Sequence, residues 1–321
     1  MTIVYASDRN YAALTAVSAV SALRHNPSAR IVLLGYNLET ESQELVRSRV
    51  VMAGGEFLYR DVSPAIGELK ERGYCGYTSY AVYARIFIPE VLDDNGRVVY
   101  LDCDTLVSGS LSGLEDIDLQ GKALALGLDC IPVAYKKFIR LPLELPYYNS
   151  GVMLIDLARW RARQCTQRIL ADIAHPSGPN PLGDQDVIVR CLSDEAFMLP
   201  PKWNFLSQLF LVSHSGWRRI IGCEPPCSEV DFFDARKNAV VYHFSGHTLG
   251  RPWYTGSRHP MREAYRKAAA DAGLPEFAEQ TKPMARDYIL QYYLHKLLPQ
   301  FAFDLVCSWL YRVNIWRNYH V

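Results

Sequence analysis

Residues 98–107 read VVYLDCDTLV, an apolar run that closes on two aspartates separated by one cysteine. β-Branched and aromatic residues before Asp102 favour a buried strand. Residues two positions apart in an extended segment point the same way, so Asp102 and Asp104 can face one cation. Carboxylate oxygens suit Mn²⁺ and Mg²⁺, which readily share them with phosphate. The stretch predicts a metal site at the end of a core strand; the alternative is two solvated turn aspartates.

The segments around this run alternate between strand-like and helix-like patterns. Strands are expected at 3–6, 31–35, 56–59, 97–101, 151–157 and 239–244. Helices are expected at 11–23, 41–52 and 79–92, the last interrupted near its end by Pro89. Segments 131–148 and 177–183 are rich in turn-forming residues and are expected to be loops. This order predicts an α/β fold with a mostly parallel central sheet, whose ligands bind at the carboxyl ends of the strands.

The composition excludes several classes of protein. The chain has 321 residues and a formal net charge of zero, so no basic field is available to attract nucleic acid. The opening residues, MTIVYASDRN, lack the pattern of a signal peptide, and no apolar run is long enough for a membrane-spanning helix. The eight cysteines form no CxxC pair, which favours reduced thiols in a cytoplasmic protein.

A second group of chemically active residues follows the last expected strand. His243 lies within that strand, and Gly246 and Arg251 come shortly after it. Glycine allows the backbone to approach a phosphate, and arginine can hold a diphosphate through two parallel hydrogen bonds. These neighbours favour His243 as a third metal ligand, with a buried structural histidine as the alternative.

These blocks resemble glycosyltransferase family 8, whose retaining enzymes include glycogenin and bacterial lipooligosaccharide galactosyltransferases. The matching blocks are YASDRNY at 5–11, LDCD at 101–104, NSGVML at 149–154, GDQD at 183–186 and the segment around His243. In order and spacing they cover roughly residues 3–270. The resemblance implies a GT-A fold, a UDP-sugar donor and Mn²⁺, with Mg²⁺ as the alternative cation.

The resemblance also implies roles for individual residues. The donor-binding residues would be Ala6, Asp8, Asn10, Tyr11, Arg85, Asp102, Cys103, Asn149, Gly246 and Arg251. The metal ligands would be Asp102, Asp104 and His243, and the catalytic residues beside the sugar would be Asp129, Asp184 and Gln185. Simpler structural roles remain open for some of them. Asp8, Asn10 and Asp184 could cap helices, Arg85 could be a surface residue, and Asn149 could belong to a turn.

The segment after His243 departs from the family pattern. Four residues, 247–250, separate Gly246 from the basic residue, where the family usually has two, and that basic residue is Arg251 in place of the usual lysine. The diphosphate-binding loop is therefore expected to be remodelled.

The composition changes near Lys282, which predicts a catalytic domain at 1–282 and a helical tail at 283–321. Residues 284–321 contain nine aromatic residues, with four Lys or Arg against two Asp. Apolar residues recur at helical spacing at Ile289, Leu290, Tyr293, Leu294, Leu297 and Leu298. An amphipathic, aromatic and basic helix is typical of a segment that lies on a membrane surface. The alternatives are packing on the catalytic domain and a dimer interface.

The resemblance predicts a retaining transferase that moves galactose or glucose from a UDP-sugar to a glycan acceptor. A lipid-linked surface polysaccharide or lipooligosaccharide is the expected acceptor, reached from the cytoplasmic face of the membrane. The alternatives are a glycogenin-like glucosyltransferase and a non-catalytic nucleotide-sugar-binding protein. A nucleotidyltransferase would need a glycine-rich phosphate loop near the first strand, and YASDRNYAAL contains none. Because the amide of Gln185 is a poor nucleophile, same-face attack is favoured over a covalent intermediate.

Overall fold

A computed structural model describes residues 1–71, 79–246, 249–280 and 286–319. Its strands are β1 Thr2–Ser7, β2 Arg30–Gly35, β3 Glu56–Asp61, β4 Arg97–Leu101, β5 Thr105–Val107, β6 Leu124–Leu128, β7 Tyr148–Asp156, β8 Ala196–Leu199, β9 Phe205–Leu206 and β10 Val241–His243. Its α-helices up to residue 192 are α1 Ala12–His25, α2 Thr40–Met52, α3 Ser63–Glu71, α4 Ile88–Val91, α5 Ser112–Glu115, α6 Val133–Phe138, α7 Leu157–Ala162, α8 Cys165–Ala174 and α9 Asp184–Leu192. The later helices are α10 His214–Ile221, α11 Glu229–Asn238, α12 Arg262–Asp271, α13 Arg286–Leu297 and α14 Gln300–Tyr319.

Seven strands form the central sheet in the order β3-β2-β1-β4-β7-β6-β8. Neighbouring strands are parallel except at β7, which runs antiparallel to both β4 and β6. The apolar runs at β1, β2 and β4 are buried on both faces, as expected for parallel strands covered by helices. The predicted mostly parallel α/β fold is confirmed.

A smaller sheet carries the segment around His243 to the central sheet. Its order is β5-β10-β9, with β10 antiparallel to β5 and parallel to β9. Because β5 begins one residue after Asp104, this pairing places β10 directly beside the two aspartates. His243 is aligned with Thr105 across the two strands.

Three local expectations were wrong in detail. Segment 79–92 is a 3₁₀ helix, Tyr80–Phe87, followed by the short helix α4. Pro89 lies in the first turn of α4, where its missing N–H costs nothing. Segment 131–148 is not a continuous loop, because α6 forms within it and its last residue begins β7. The strand expected at 151–157 starts at Tyr148 and ends at Asp156, where α7 follows.

The C-terminal helices α13 and α14 are present, and one face of α14 is part of the protein core. Phe303 and Cys307 are fully buried in the apolar cluster that contains Trp217 of α10. The backbone N–H of Ser213 donates to Asp304 at 3.2 Å, which ties α14 to the start of α10. The expected boundary at 282/283 lies outside the described residues. As far as the structure describes the chain, none of the helices has the length and hydropathy that crossing a bilayer requires.

Candidate active site

The two aspartates follow β4, and strand-like alternation separates their side chains from that of Cys103. The Asp102 N–H donates to the Gly151 carbonyl at 2.7 Å, so the backbone still pairs with β7 at this point. Cys103 points inward, where its Sγ lies 2.9 Å from the Ala6 carbonyl oxygen. Burial raises the pKa of Cys103 to about 12, so the thiol remains protonated. The DxD segment therefore presents two carboxylates and no thiolate to a cation.

His243 completes a group of three ligands with these carboxylates. Its Nε2 lies 3.2 Å from an Asp104 oxygen and 3.7 Å from an Asp102 oxygen. One donor atom from each residue lies within 4.8 Å of the others, so one ion can reach all three. Two carboxylates and an imidazole suit Mn²⁺ and also accommodate Mg²⁺. The donor set fits the predicted metal.

Gly151 keeps the space beside these ligands open. A Cβ atom at this position would lie 2.1 Å from His243 Cε1 and 2.7 Å from an Asp102 oxygen. Any side chain here would therefore displace the imidazole or the carboxylate. This glycine is required for close approach and not for an unusual backbone conformation.

Arg251 reaches the Asp104 carboxylate from the C-terminal side of the chain. Its guanidinium contacts Asp104 Oδ2 and the Phe244 carbonyl, and lies 5.4 Å from the centre of the Trp253 ring. Burial alone would raise the pKa of Asp104, but His243 and Arg251 hold it well below its usual range. Asp104 is therefore ionised and ready to bind a cation.

Arg85 is buried and not a surface residue, since only 4% of it is exposed, and it contacts several residues of the site. Its guanidinium lies 2.9 Å from Asp102 and 2.9 Å from Asp184. It also donates to the Ser150 carbonyl at 2.7 Å and lies over the Tyr100 ring at 4.6 Å. These contacts hold Asp102 and Asp184 at fixed positions on either side of one positive charge.

Asp184 opens α9 but does not cap it through its side chain, because the N-cap is Gly183 and no side-chain cap bond forms. Burial raises the pKa of Asp184 to about 7, with the nearby Asp102 charge adding to the rise, although Arg85 acts to lower it. A buried carboxyl group with a shifted pKa beside a cluster of other charged groups is typical of a functional site.

Asp129, Asn149 and Gln185 form one hydrogen-bonded network. Asn149 Nδ2 donates to Asp129 at 3.0 Å and to Gln185 Oε1 at 3.1 Å. Gln185 Nε2 donates to Asp129 at 2.9 Å, and its Oε1 also accepts from the Ser150 N–H at 3.2 Å. Asn149 lies inside β7 and not in a turn.

A cleft of about 610 Å³ opens at the ends of β1 and β4. The predicted site residues that line it are Ala6, Asp8, Asn10, Tyr11, Arg85, Asp102, Cys103, Asp104 and Arg251. The others, which lie outside that lining, are His243, Gly246, Asp129, Asn149, Asp184 and Gln185. Gly246 has a φ of +73°, a conformation that favours glycine, and residues 247–248 after it lie outside the described part.

Asp8 is oriented toward this cleft without capping a helix. It accepts hydrogen bonds from the Asn10 N–H at 2.9 Å and from Ser79 Oγ at 2.6 Å. Helix α1 begins at Ala12 with no side-chain cap, so the capping role open to Asp8 and Asn10 is not used.

Several residues of the site were not predicted from the sequence. Asn204 Oδ1 lies 3.1 Å from His243 Nδ1, and Tyr147 and Ser79 hydrogen-bond to predicted residues. The cleft is also lined by Tyr254, Phe277 and Gln280. Asn204, Phe277 and Gln280 reach the site from distant parts of the chain, so no local pattern marks them. Tyr147 and Tyr254 lie two residues before Asn149 and three after Arg251, and Ser79 lies six residues before Arg85, but their residue types carry no distinctive signal there. Trp253, two residues after Arg251, also lines the cleft.

The chain is similar in sequence or in fold to several known proteins. The chain is 25% identical over 272 residues to General stress protein A of Bacillus subtilis (strain 168), covering 83% of this chain and 91% of that protein. It is 27% identical over 198 residues to the lipopolysaccharide 1,2-glucosyltransferase of Escherichia coli (strain K12), covering 59% of this chain and only 54% of the relative.

A crystal structure of the galactosyltransferase LgtC with donor and acceptor sugar analogs superposes with a TM-score of 0.66. That alignment has 24% identity and covers 88% of this chain and 98% of LgtC, a likeness that shows the GT-A fold. The sequence model of Glycosyl transferase family 8 matches residues 2–257. The chain therefore belongs to glycosyl transferase family 8.

Proposed function

We propose that this chain is a metal-dependent retaining hexosyltransferase. It takes galactose or glucose from a UDP-sugar and transfers it to a glycan acceptor, a lipid-linked surface polysaccharide or lipooligosaccharide. The observation that carries the proposal is the convergence of Asp102, Asp104 and His243 beside the cleft. The glucosyltransferase and galactosyltransferase named above support the choice of sugar.

The nucleotide is proposed to bind at the end of β1. Asp8 has one oxygen held by the Asn10 N–H and the other by Ser79, so its carboxylate is preoriented. Tyr11 is 38% exposed and lines the cleft, which leaves its ring free to pack on a base. These contacts support a uracil and ribose site formed by Ala6, Asp8, Asn10 and Tyr11.

Cleavage of the donor places negative charge on the diphosphate. A divalent cation held by Asp102, Asp104 and His243 supplies Lewis-acid stabilisation of that charge. Arg251 lies beside the same carboxylates and can donate two parallel hydrogen bonds to a phosphate. We assign Arg251 the role of binding the diphosphate. Arg85 is held by its ion pairs with Asp102 and Asp184, so we assign it the role of positioning those two side chains.

The network around Gln185 supports same-face attack. Both lone-pair positions of its amide oxygen are occupied, by Asn149 and by the Ser150 N–H. An amide oxygen that accepts two hydrogen bonds is a weaker nucleophile than a free one. The acceptor hydroxyl then attacks the face that the diphosphate leaves, and a departing phosphate oxygen takes its proton. The carboxylates of Asp129 and Asp184 stabilise positive charge at the anomeric carbon.

The test is release of UDP from a panel of UDP-sugars, each with and without a lipid-linked glycan acceptor. We expect turnover with UDP-galactose or UDP-glucose, loss of turnover in excess chelator, and an α-linked product by NMR. Asp104→Asn should lower activity by orders of magnitude with the fold intact. Full turnover in chelator would contradict the metal role, and a β-linked product would contradict retention. UDP-sugar binding without turnover would indicate a non-catalytic binding protein.

We further propose that the tail, 283–321, lies on a membrane surface near the acceptor. Its exposed apolar side chains are Leu290, Tyr293, Leu297, Phe301, Leu305, Trp309 and Trp316. The last four recur along one side of α14, opposite the buried Phe303. Among side chains described at 289–317, the exposed charges are all basic, Lys296, Arg312 and Arg317, which complements anionic headgroups.

Truncating the tail would remove buried core residues, so point substitutions test this proposal better. We expect Trp309→Ser with Trp316→Ser to reduce co-sedimentation with vesicles of anionic phospholipid, with activity on a soluble acceptor retained. The matched control is Val230→Ser with Phe233→Ser, two exposed apolar residues on α11. Equal sedimentation of both double variants would reject the membrane role. Concentration-dependent dimerisation lost only in the tail variant would indicate a dimer interface.

A further inference from the structure

A chain of hydrogen bonds connects the Gly151 N–H of β7 to the imidazole of His243. The backbone N–H at its first link determines which atom donates and which accepts at the following links. The Gly151 N–H donates to Asn149 Oδ1 at 3.0 Å. Asn149 Nδ2 donates to the Asp129 carboxylate at 3.0 Å. Because a backbone amide can only donate and a carboxylate can only accept, the side-chain amide of Asn149 has one allowed orientation.

The next link is Asn204, which follows the 3₁₀ helix Pro201–Trp203. Its Nδ2 donates to Asn149 Oδ1 at 2.9 Å. Its own oxygen therefore faces the other way and lies 3.1 Å from His243 Nδ1. Since a carbonyl oxygen only accepts, Nδ1 must carry a proton to make this contact. Nε2 faces the carboxylates of Asp104 and Asp102 at 3.2 and 3.7 Å, to which it can donate only while it is protonated. A cation in place of that proton would bind the Nε2 lone pair, and Nδ1 would be the ring nitrogen that keeps its proton.

Asn204 has no freedom to leave this position. Only 2% of it is exposed. A Cβ atom on Gly127 of β6 would lie 2.9 Å from Asn204 Cβ, so the strand backbone packs directly on this side chain. Asn204 also connects two parts of the site, because Asn149 donates from its other end to Gln185 Oε1 at 3.1 Å.

We infer that Asn204 is a positioning residue that holds His243 in the Nδ1–H tautomer and links the metal ligands to the amides beside the sugar. The inference rests on the metal role proposed for Asp102, Asp104 and His243. Partners of this kind typically change metal affinity by 10–100-fold when removed. Asn204 touches neither substrate nor metal in this account, so its effect must pass through His243 and Asn149.

The experiment uses three variants of the full chain. Asn204→Ala removes both hydrogen bonds. Asn204→Asp keeps an acceptor for His243 Nδ1 but cannot donate to Asn149. Gly127→Ala leaves Asn204 in the sequence and pushes it out of place. Two measurements are made on each variant, the hydrogen-bonded Nδ1–H proton of His243 by ¹H–¹⁵N NMR of protein loaded with diamagnetic Mg²⁺, and Mn²⁺ affinity by EPR. A His243→Gln sample identifies the signal.

We expect wild type and Asn204→Asp to show a hydrogen-bonded Nδ1–H proton that exchanges slowly with solvent, and Asn204→Ala and Gly127→Ala to lose that protection. Mn²⁺ affinity should fall about 10–100-fold in Asn204→Ala and stay at or above the wild-type value in Asn204→Asp. Turnover should fall in both Asn204 variants. A wild-type Nδ1–H signal and wild-type affinity in folded Asn204→Ala would overturn the inference, as would loss of that signal in Asn204→Asp.

The two proposals can fail separately. If wild type does not bind Mn²⁺, the proposed metal role fails, and a comparison of the Nδ1–H signal of His243 in metal-free wild type and Asn204→Ala still decides whether Asn204 positions the ring. If wild type binds Mn²⁺ and Asn204→Ala binds it equally well, the metal role stands and the inference about Asn204 falls. Should Asn204→Ala not fold, Gly127→Ala and Asn204→Asp carry the comparison.

Discussion

At the scale of single residues, the space beside Asp102 and His243 is open because residue 151 is glycine and has no side chain. We expect Gly151→Ala to weaken Mn²⁺ binding on the order of 10–100-fold, because the new Cβ atom would displace the His243 ring or Asp102. Stability should fall by about 1–3 kcal/mol through overpacking. Mn²⁺ EPR and urea denaturation measure the two effects.

Gly67→Ala is the matched control for that substitution. Gly67 lies in α3, and no atom of the described residues lies within 4 Å of its would-be Cβ, so alanine there should leave metal binding unchanged. It should also raise stability by about 0.5–1 kcal/mol, because alanine favours the helix. Equal metal affinity in both variants would show that Gly151 does not define the site.

The grouping of Asp102, Asp104 and His243 could be predicted from the sequence, and the residues that orient these side chains could not. Asp102 and Asp104 follow one strand and are two positions apart, and in an extended segment such residues point to the same side. Asn204 lies 39 positions from His243 in the chain, and only the pairing of β10 with β9 brings them together. Gly151 belonged to a recognised block, but its steric role needs the position of His243.

Asp186 makes stability depend on pH. It is fully buried and accepts hydrogen bonds from Tyr135 at 2.9 Å, Tyr147 at 2.7 Å and the Leu182 N–H at 2.7 Å. Burial raises the pKa of Asp186 to about 6, above its ordinary value of 3.8. The folded protein therefore holds this proton more tightly than the unfolded chain. Its contribution to stability is complete below pH 3.8 and is lost as pH rises through about 6.

Asp186→Asn should remove this dependence, because an amide keeps the shape and stays neutral. The free energy of unfolding of the variant minus that of wild type should rise by about 2–3 kcal/mol between pH 4 and 7.5. Urea denaturation of metal-free protein across this range measures the difference. A flat difference would show that Asp186 is as easily ionised in the fold as in the unfolded chain.

At the scale of elements, α14 has two faces with opposite roles. Phe303 is fully buried beside His295 and the α10 cluster, whereas Phe301 is 71% exposed. Phe303→Ala should cost about 3–5 kcal/mol of stability, and Phe301→Ala less than about 0.5 kcal/mol. Urea denaturation of these two variants decides whether α14 packs on the rest of the protein. Similar small costs for both would mean that the helix is detached in solution.

The elements that could be predicted best were those with strong local periodicity. Strand β4 was predicted at both ends, and β1, β2, α1 and α2 within one or two residues, because each is an unbroken apolar or amphipathic run. The 3₁₀ helix at Tyr80–Phe87 was read as α-helix, since the two share a similar apolar spacing over eight residues. Helix α6 was missed because the prolines on either side of it dominate the composition of 131–148.

At the scale of the whole molecule, the site joins the central sheet to the segment that follows the small sheet. Arg251 crosses from that segment to Asp104, so in the absence of nucleotide it competes with a cation for the same carboxylate. A diphosphate offers Arg251 another partner and frees Asp104. Metal and UDP are therefore expected to strengthen each other's binding, a coupling that is typically 1–3 kcal/mol, or about 5–150-fold.

Arg251→Gln tests this coupling because it changes the two affinities in opposite directions. Without UDP the variant should bind Mn²⁺ more tightly than wild type, since the competing charge is gone. UDP should bind more weakly and should improve Mn²⁺ affinity less than it does in wild type. Mn²⁺ EPR titrations with and without UDP give the Mn²⁺ affinities of wild type and variant, and calorimetric titration with UDP gives their UDP affinities. Arg258→Gln, which removes a positive charge that lies over Tyr292, is the control and should change none of them. Weaker Mn²⁺ binding by Arg251→Gln in the absence of UDP would mean that Arg251 supports the metal site instead of competing with it.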